Sequence, residues 1–226
     1  MNEILFLFHI LIVFAFLIFS LKMGKEFLFS FIILQSILAN LFVLKQMNLF
    51  GFEVTCSDVF AVGAMLGLNL LQEFFGVEFA KKAIYASLFF ALFFCGMSLF
   101  QIFYIPSVHD INHCHYNAIL SVEPRIIAAS FFTYFVVQFL DLKFYAFLKK
   151  VFKKHYFIIR NSFSLVLFQL IDTILFTFLG LWGLVASVSD VILMSFFIKL
   201  LIIFVLSPLV LLFVKVFKKW NILNLN

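Results

Sequence analysis

Five long apolar runs, at residues 4–21, 27–44, 83–105, 163–181 and 191–213, constrain this 226-residue chain more than any other feature. About 20 predominantly apolar residues in a helix are enough to cross the hydrocarbon core of a bilayer. A sixth run, 125–142, is apolar but interrupted by polar residues, and a seventh, 54–77, is the most polar of the set. Only 12% of the chain is charged and 65% is hydrophobic, whereas soluble domains carry roughly 25% charged residues. The expected fold class is therefore all-α: one polytopic membrane domain spanning residues 1–226, with six to seven transmembrane helices. The 38 phenylalanines are expected mainly on lipid-facing surfaces.

The basic residues supply an orientation. With seven crossings and an external amino terminus, the cytoplasmic connections carry Lys22, Lys25, Lys81, Lys82, Lys143, Lys149, Lys150, Lys153, Lys154, Arg160, Lys215, Lys218 and Lys219. Lys45, Arg125 and Lys199 remain on external or membrane segments. This bias follows the positive-inside rule and places the carboxyl terminus in the cytoplasm. Losing the crossing at 54–77 would break the alternation, although a broken or re-entrant helix there would also suit its polarity. "MNEILFLFHI" has neither a basic n-region nor a small-residue cleavage site nearby, so the first run reads as a retained span. Pro208 should kink the last helix. The net charge of +5 lies in short clusters between apolar runs, a pattern of membrane topology and anionic-lipid contact, with no nucleic-acid partner implied.

Ionisable groups within spans are expensive and face a bundle interior or a watery cavity. In the third helix these are Asp58 and Glu73, with Asn69 and Gln72. The fifth places Ser130, Tyr134, Gln138 and Asp141 roughly on one stripe, with Arg125 at its outer end. In the sixth, Gln169, Asp172 and Thr173 share a face. The seventh carries Lys199, with Asp190 at its outer boundary. An ionised Asp172 in hydrocarbon costs at least about 2.5–3.5 kcal/mol. Asp172 and Lys199 lie about nine and eight residues from the outer ends of consecutive antiparallel spans, equal in depth to a few ångströms at about 1.5 Å per residue. They are expected to pair. Hydroxyl and amide groups such as Ser130 and Thr173 also serve simply as interhelical bonds, worth about 0.6 kcal/mol on average.

Enzyme signatures are absent: there is no Walker A sequence, H-E-x-x-H or G-x-S-x-G. The chain is not expected to be an enzyme, and no cofactor is expected. "HDINHCHY" (109–116) gathers His109, Asp110, His113, Cys114 and His115, but the spacing matches no standard zinc site, so no metal is expected. Three cysteines form no C-x-x-C pair and cannot close a disulfide framework.

Three blocks, "GLNLLQEFFGVEFAKKAI" (67–84), "PRIIAASFFTYFVVQFLDL" (124–142) and "FQLIDTILF" (168–176), resemble the queuosine-precursor transporters, also called the vitamin uptake transporter family. Their R-x-x-x-A-S…Q-x-x-D and D-T patterns are specific in combination, and the likeness covers most of residues 55–215. The resemblance implies a multi-pass importer of 7-deazaguanine bases (queuine, preQ0 or preQ1) in the bacterial cytoplasmic membrane, serving tRNA queuosine salvage. It implies substrate-site roles for Asn69, Gln72, Glu73, Arg125, Ser130, Gln138, Asp141, Asp172 and Thr173. Lys199 stands where the family's last helix carries a lysine. Family members often have an acidic residue at the position of Asn69, so this chain has one charge fewer there. Gln169 joins the candidates on chemistry alone, as a group able to satisfy a base carbonyl. The resemblance also suggests likeness to the substrate-binding subunits of energy-coupling-factor transporters. The alternative function is accordingly a membrane binding subunit for a vitamin or nucleobase that works with a separate ATPase partner. A bundle of this size is compatible with a homodimer.

Overall fold

The spans form because their backbones must satisfy every N–H and C=O internally in lipid, and uninterrupted helices do so. The computed structural model describes residues 1–43, 45–121, 124–152, 157–182 and 188–219. Among these, the helices are α1 (Asn2–Met23), α2 (Lys25–Phe42), α3 (Asp58–Phe75), α4 (Val77–Phe103), α5 (His113–Leu120), α6 (Pro124–Val151), α7 (Phe157–Phe176) and α8 (Val188–Lys219). Among the described residues, six helices are long and apolar enough to cross a membrane; in α8 the described apolar portion is Val191–Val205. The chain is a multi-pass membrane protein with a helical-bundle fold.

Helix ends differ from the apolar runs in instructive ways. Residues 54 and 55, at the start of the seventh run, belong to a hairpin of β1 (Gln46–Leu49) and β2 (Phe52–Thr55), and α3 begins only at Asp58. Leu49 faces Phe52 across a two-residue loop, Phe50-Gly51, with φ of 53° and 86°. Two positive φ values match a type I′ hairpin turn, which glycine suits and phenylalanine adopts at a cost. Local contacts hold it: Gly51 N donates to Asn48 Oδ1 at 3.2 Å, and Asn2 Nδ2 on α1 donates to the Asn48 carbonyl at 2.8 Å. Leu49 is fully buried. The external connection expected at 106–123 contains α5, on which Cys114 and His115 are exposed. Helix α7 passes into a π-helical turn, Thr177–Leu181, and Pro208 lies within α8.

The position of α3 explains its polarity. In its apolar window 78% of residues are buried inside the protein, against 22–44% for the other five spans. It therefore faces protein on nearly all sides and tolerates polar groups that lipid would not. Gly63 and Gly67, four residues apart, make its close approach possible. A Cβ on Gly67 would lie 2.9 Å from Ile32 Cγ1 and 3.3 Å from Leu17 Cδ1, and one on Gly63 would lie 3.1 Å from Val13 Cγ1. Phe8, Phe16, Phe19, Phe89, Phe93 and Phe100 stand exposed on α1 and α4, as lipid-facing residues should.

Gly67→Ala should lower unfolding stability by about 1–3 kcal/mol through overpacking. Gly96→Ala, where an added Cβ meets nothing within 4 Å, should be neutral or stabilising by up to about 1 kcal/mol. Thermal unfolding of the two variants in one detergent tests the α1–α2–α3 contact.

Candidate functional site

A cavity of about 170 Å³ lies among α2, α3, α6, α7 and α8. It runs from Thr55 and Ser57, where the hairpin meets α3, to Met65 on α3 and Gln169 on α7. Each helix contributes polar groups at three- or four-residue spacing, so that they share one face: Ser36 and Asn40; Ser130, Thr133, Tyr134 and Gln138; Gln169, Asp172, Thr173 and Thr177; Ser195 and Lys199. Tyr134 and Phe176 are the aromatic groups on the wall.

Its charged centre is a triad. Lys199 Nζ lies 2.6 Å from Asp172 Oδ2 and 3.0 Å from Thr173 Oγ1, and 4.0 Å from Asp58 Oδ1. The pair anticipated from matched depth is present. Its third member, Asp58, comes from the first turn of α3. Asp58 is 3% exposed. Ser195 Oγ donates to its Oδ1 at 3.4 Å, while Oδ2 has no hydrogen-bond partner. Asp172 is more open, with its side chain 25% exposed. The α3 amino terminus adds partial positive charge beside Asp58, worth about 0.3–2 kcal/mol. Burying each ion costs several kcal/mol, so the dipole offsets only part of it.

Neutral groups complete the wall. Thr133 Oγ1, Gln138 Oε1 and Gln169 Oε1 are buried without hydrogen-bond partners. Ser130 hydrogen-bonds to Asn40, Asn40 Nδ2 donates to the Ser36 carbonyl at 3.2 Å, and Ser36 Oγ lies 3.1 Å from the Tyr134 hydroxyl. Unpaired buried acceptors are expensive, costing about 1–3 kcal/mol each. Those that face the open cavity are placed to receive a ligand's donors.

The predicted residues divide into two groups. Ser130, Gln138, Gln169, Asp172, Thr173 and Lys199 line the cavity. Asn69, Gln72, Glu73 and Asp141 do not; they build a second polar cluster farther along α3 and α6. There Asn69 Nδ2 donates to Asn161 Oδ1 at 3.2 Å, Gln72 Nε2 to the Leu142 carbonyl at 3.2 Å, and Ser164 to Asp141. Arg160 closes the cluster, with Nη2 at 3.0 Å from Glu73 Oε1 and Nη1 donating to the Phe152 carbonyl at 3.0 Å. Lys149 Nζ lies 3.6 Å from Glu73 Oε2, and Tyr145 donates to that oxygen at 3.3 Å. The side chains of Arg125 and Asp190 lie outside the described residues.

Sequence reasoning passed over three contributors, Arg160, Ser36 and Asn40. Arg160 reads as a loop charge, yet it is 1% exposed; its signal is the stripe Asn161, Ser164, Gln169, Asp172 that follows it along α7. Ser36 and Asn40 repeat at i and i+4 in a helix that also carries Ser30 and Gln35. Asp58, expected beside Glu73 as a charge of the third helix, stands a full cluster away from it. Among the described residues, no three His, Cys, Asp or Glu side chains converge as metal ligands.

Lys199→Met should cost about 3–5 kcal/mol of stability, because buried Asp58 and half-buried Asp172 both lose their counter-ion. Asp172→Asn should cost less, since Asp58 still offers Lys199 a carboxylate. Denaturation of both variants in the same detergent measures the difference, and equal losses would remove Asp58 as a partner.

Comparison with known proteins bears on this arrangement. A family model described as "Putative vitamin uptake transporter" matches residues 55–213, which include Asp58, Asp172 and Lys199. The "Probable queuosine precursor transporter" of Bacillus subtilis (strain 168) is 31% identical over 182 residues, covering 77% of this chain and 76% of its own. No solved structure matches significantly. A helical membrane bundle enclosing a polar cavity, matched by that model over most of its length, belongs to the vitamin uptake transporter family, the family of the queuosine precursor transporters.

Proposed function

We propose that this protein imports a queuosine precursor, a 7-deazaguanine base, across the bacterial cytoplasmic membrane, and that the base binds in the cavity around Asp172 and Lys199. The observation that carries this reading is the paired Asp172 and Lys199 on a wall that also holds buried, unpartnered oxygens of Thr133, Gln138 and Gln169. A deazaguanine presents two adjacent N–H donors and a carbonyl on one edge. Asp172, the more open carboxylate, accepts the two donors. Lys199, released in part from Asp172, or the Gln138 amide donates to the carbonyl, and Tyr134 or Phe176 stacks on the ring. Such a site discriminates sharply, because an analogue lacking the donors leaves buried acceptors unpaired.

The second cluster has a different task in this reading. Starting from Met65, Gln138 and Gln169 on the cavity wall, one turn along each helix leads to Asn69, Asp141 and Ser164–Leu165. A further turn leads to Gln72, Tyr145 and Asn161. This polar column, tied by Glu73 to Arg160, lies between the cavity and the end of the bundle that carries most basic residues, the cytoplasmic end under the positive-inside rule. Polar side chains there can exchange partners with water or ligand at little cost, which apolar packing cannot. The column is the route that opens when access switches.

Two results test the proposal. In cells lacking their own importer, this chain should support uptake of radiolabelled queuine, preQ0 or preQ1. Asp172→Asn, expressed at the wild-type level, should reduce that uptake at least tenfold, about 1.4 kcal/mol; unchanged uptake would remove Asp172 from the site. Glu73→Gln, by contrast, should leave binding of the base to purified protein within about threefold while changing the uptake rate, because an interaction outside the site acts on the conformational step. Uptake by the purified chain alone in liposomes separates an autonomous transporter from a subunit that needs an ATPase partner.

A further inference from the structure

The charges on the cavity wall do not balance. Asp58 and Asp172 face one cation, Lys199, and every other described residue on the wall is neutral. Lys199 is committed unequally, at 2.6 Å from Asp172 and 4.0 Å from Asp58. What remains for Asp58 is a single long hydrogen bond from Ser195 to Oδ1 and nothing to Oδ2, at 3% exposure. Among the described residues on the wall no second cation stands beside it; Lys45, whose carbonyl accepts from Cys56 N at 2.9 Å, is exposed. Thr55 and Ser57 of the hairpin junction hydrogen-bond to each other at 2.8 Å, Cys56 is a thiol, and Ser36 and Asn40 on α2 are neutral. His9 on α1 packs its ring against Phe60 at 4.8 Å between centroids. The α3 amino terminus contributes a fraction of a charge. At 3% exposure little water reaches Asp58, so a unit of positive charge beside it would offset its burial.

We propose that Asp58 is a site for one exchangeable positive charge, so that the cavity binds its ligand together with a monovalent cation. The cation is a proton or alkali ion at Asp58 when the ligand is neutral, or an ammonium group on the ligand itself. Asp172, more open and already paired, holds the ligand's N–H donors, and Asp58, deeper and underpaired, holds the charge. This division gives two carboxylates on neighbouring helices separate roles through unequal access to one lysine. It rests on the reading of the cavity as the base-binding site, and it narrows the substrate to a base that carries an amine or travels with a cation.

The test compares one deazaguanine scaffold in two forms, the neutral nitrile (preQ0) and the ammonium-bearing aminomethyl (preQ1). Binding to full-length wild-type protein and to Asp58→Asn is measured by calorimetry in buffers of different ionisation enthalpy, with sodium or choline as the salt. An ammonium source predicts at least tenfold tighter binding of the aminomethyl form by wild type, with the ratio collapsing towards one in Asp58→Asn. A proton already resident at Asp58 predicts no proton uptake with the nitrile but release of one proton per aminomethyl base bound, absent in the variant. An alkali-ion source predicts at least tenfold tighter nitrile binding in sodium than in choline, again lost in the variant. Equal affinities for both forms in both proteins, with neither proton nor sodium linkage, would overturn the proposal.

The ligand-free protein gives a readout that survives failure of the base-binding reading. Its infrared spectrum should contain either a protonated-carboxyl carbonyl stretch or a sodium-sensitive carboxylate stretch that disappears in Asp58→Asn. If no base binds but that band is present, the substrate assignment is wrong and the cation site stands. If bases bind and no such band or linkage exists, the cation site is wrong and the substrate assignment stands. Asp58→Asn removes the surplus charge with an isosteric neutral group, so it should unfold at or above the wild-type temperature.

Discussion

The contact between Lys199 and Asp172 is the interaction on which the rest of the bundle depends. An ammonium and a carboxylate can be held this deep only if each is the other's partner and the helices bearing them keep a fixed register. That requirement binds α7 to α8. Lys199 also reaches towards Asp58, so α3 must stand within 4.0 Å of the same ammonium. Gly63 and Gly67 let α3 approach α1 and α2 closely at the other side of its circumference. A side chain there would displace the helix that carries Asp58, and the triad with it.

Around this centre the protein is organised with polar groups inside and phenylalanine outside, because lipid gives no hydrophobic reward for burying apolar side chains and a large penalty for exposing polar ones. The buried polar groups are not scattered. They form a cavity cluster near the hairpin and a column that continues from it along α3, α6 and α7 to Arg160. The cavity groups border an open space, whereas the column groups bond across helices; both clusters hold buried atoms without partners, Asn69 Oδ1, Gln72 Oε1, Asp141 Oδ2 and Arg160 Nε among them in the column. Partnerless groups that line an open space suit a place where a ligand completes the bonding. Interlocked groups suit a place that is closed until a rearrangement breaks several modest bonds at once.

Much of this was legible in the chain itself. The helical membrane fold follows from run length and charge content, and the Asp172–Lys199 pair follows from matched depth on adjacent spans. The cost of a buried charge is large enough that Asp172, Lys199 and Glu73 could be singled out without any structure. The resemblance carried by the blocks at 67–84, 124–142 and 168–176 pointed to the family to which the chain belongs. The hairpin was not legible as a hairpin, because its eight strand residues adjoin the polar start of a span and its Phe50-Gly51 turn is an atypical pair. Arg160 was misplaced because a basic residue beside Lys153 and Lys154 is indistinguishable in sequence from a topology signal. Only its partner on α3 makes it structural.

The sequence by itself determined which segments enter the membrane and which side chains are too costly to face lipid, since both depend on composition along one helix. The tertiary structure decided which of those side chains share a compartment. Asn69 and Asp58 lie on one helix and carry the same kind of signal, yet one meets Asn161 in the interlocked column and the other meets Lys199 in the cavity. That difference depends on how α3 is positioned against α7 and α8. It is fixed by packing at two glycines and by the reach of one lysine, and residue spacing within a single segment encodes neither.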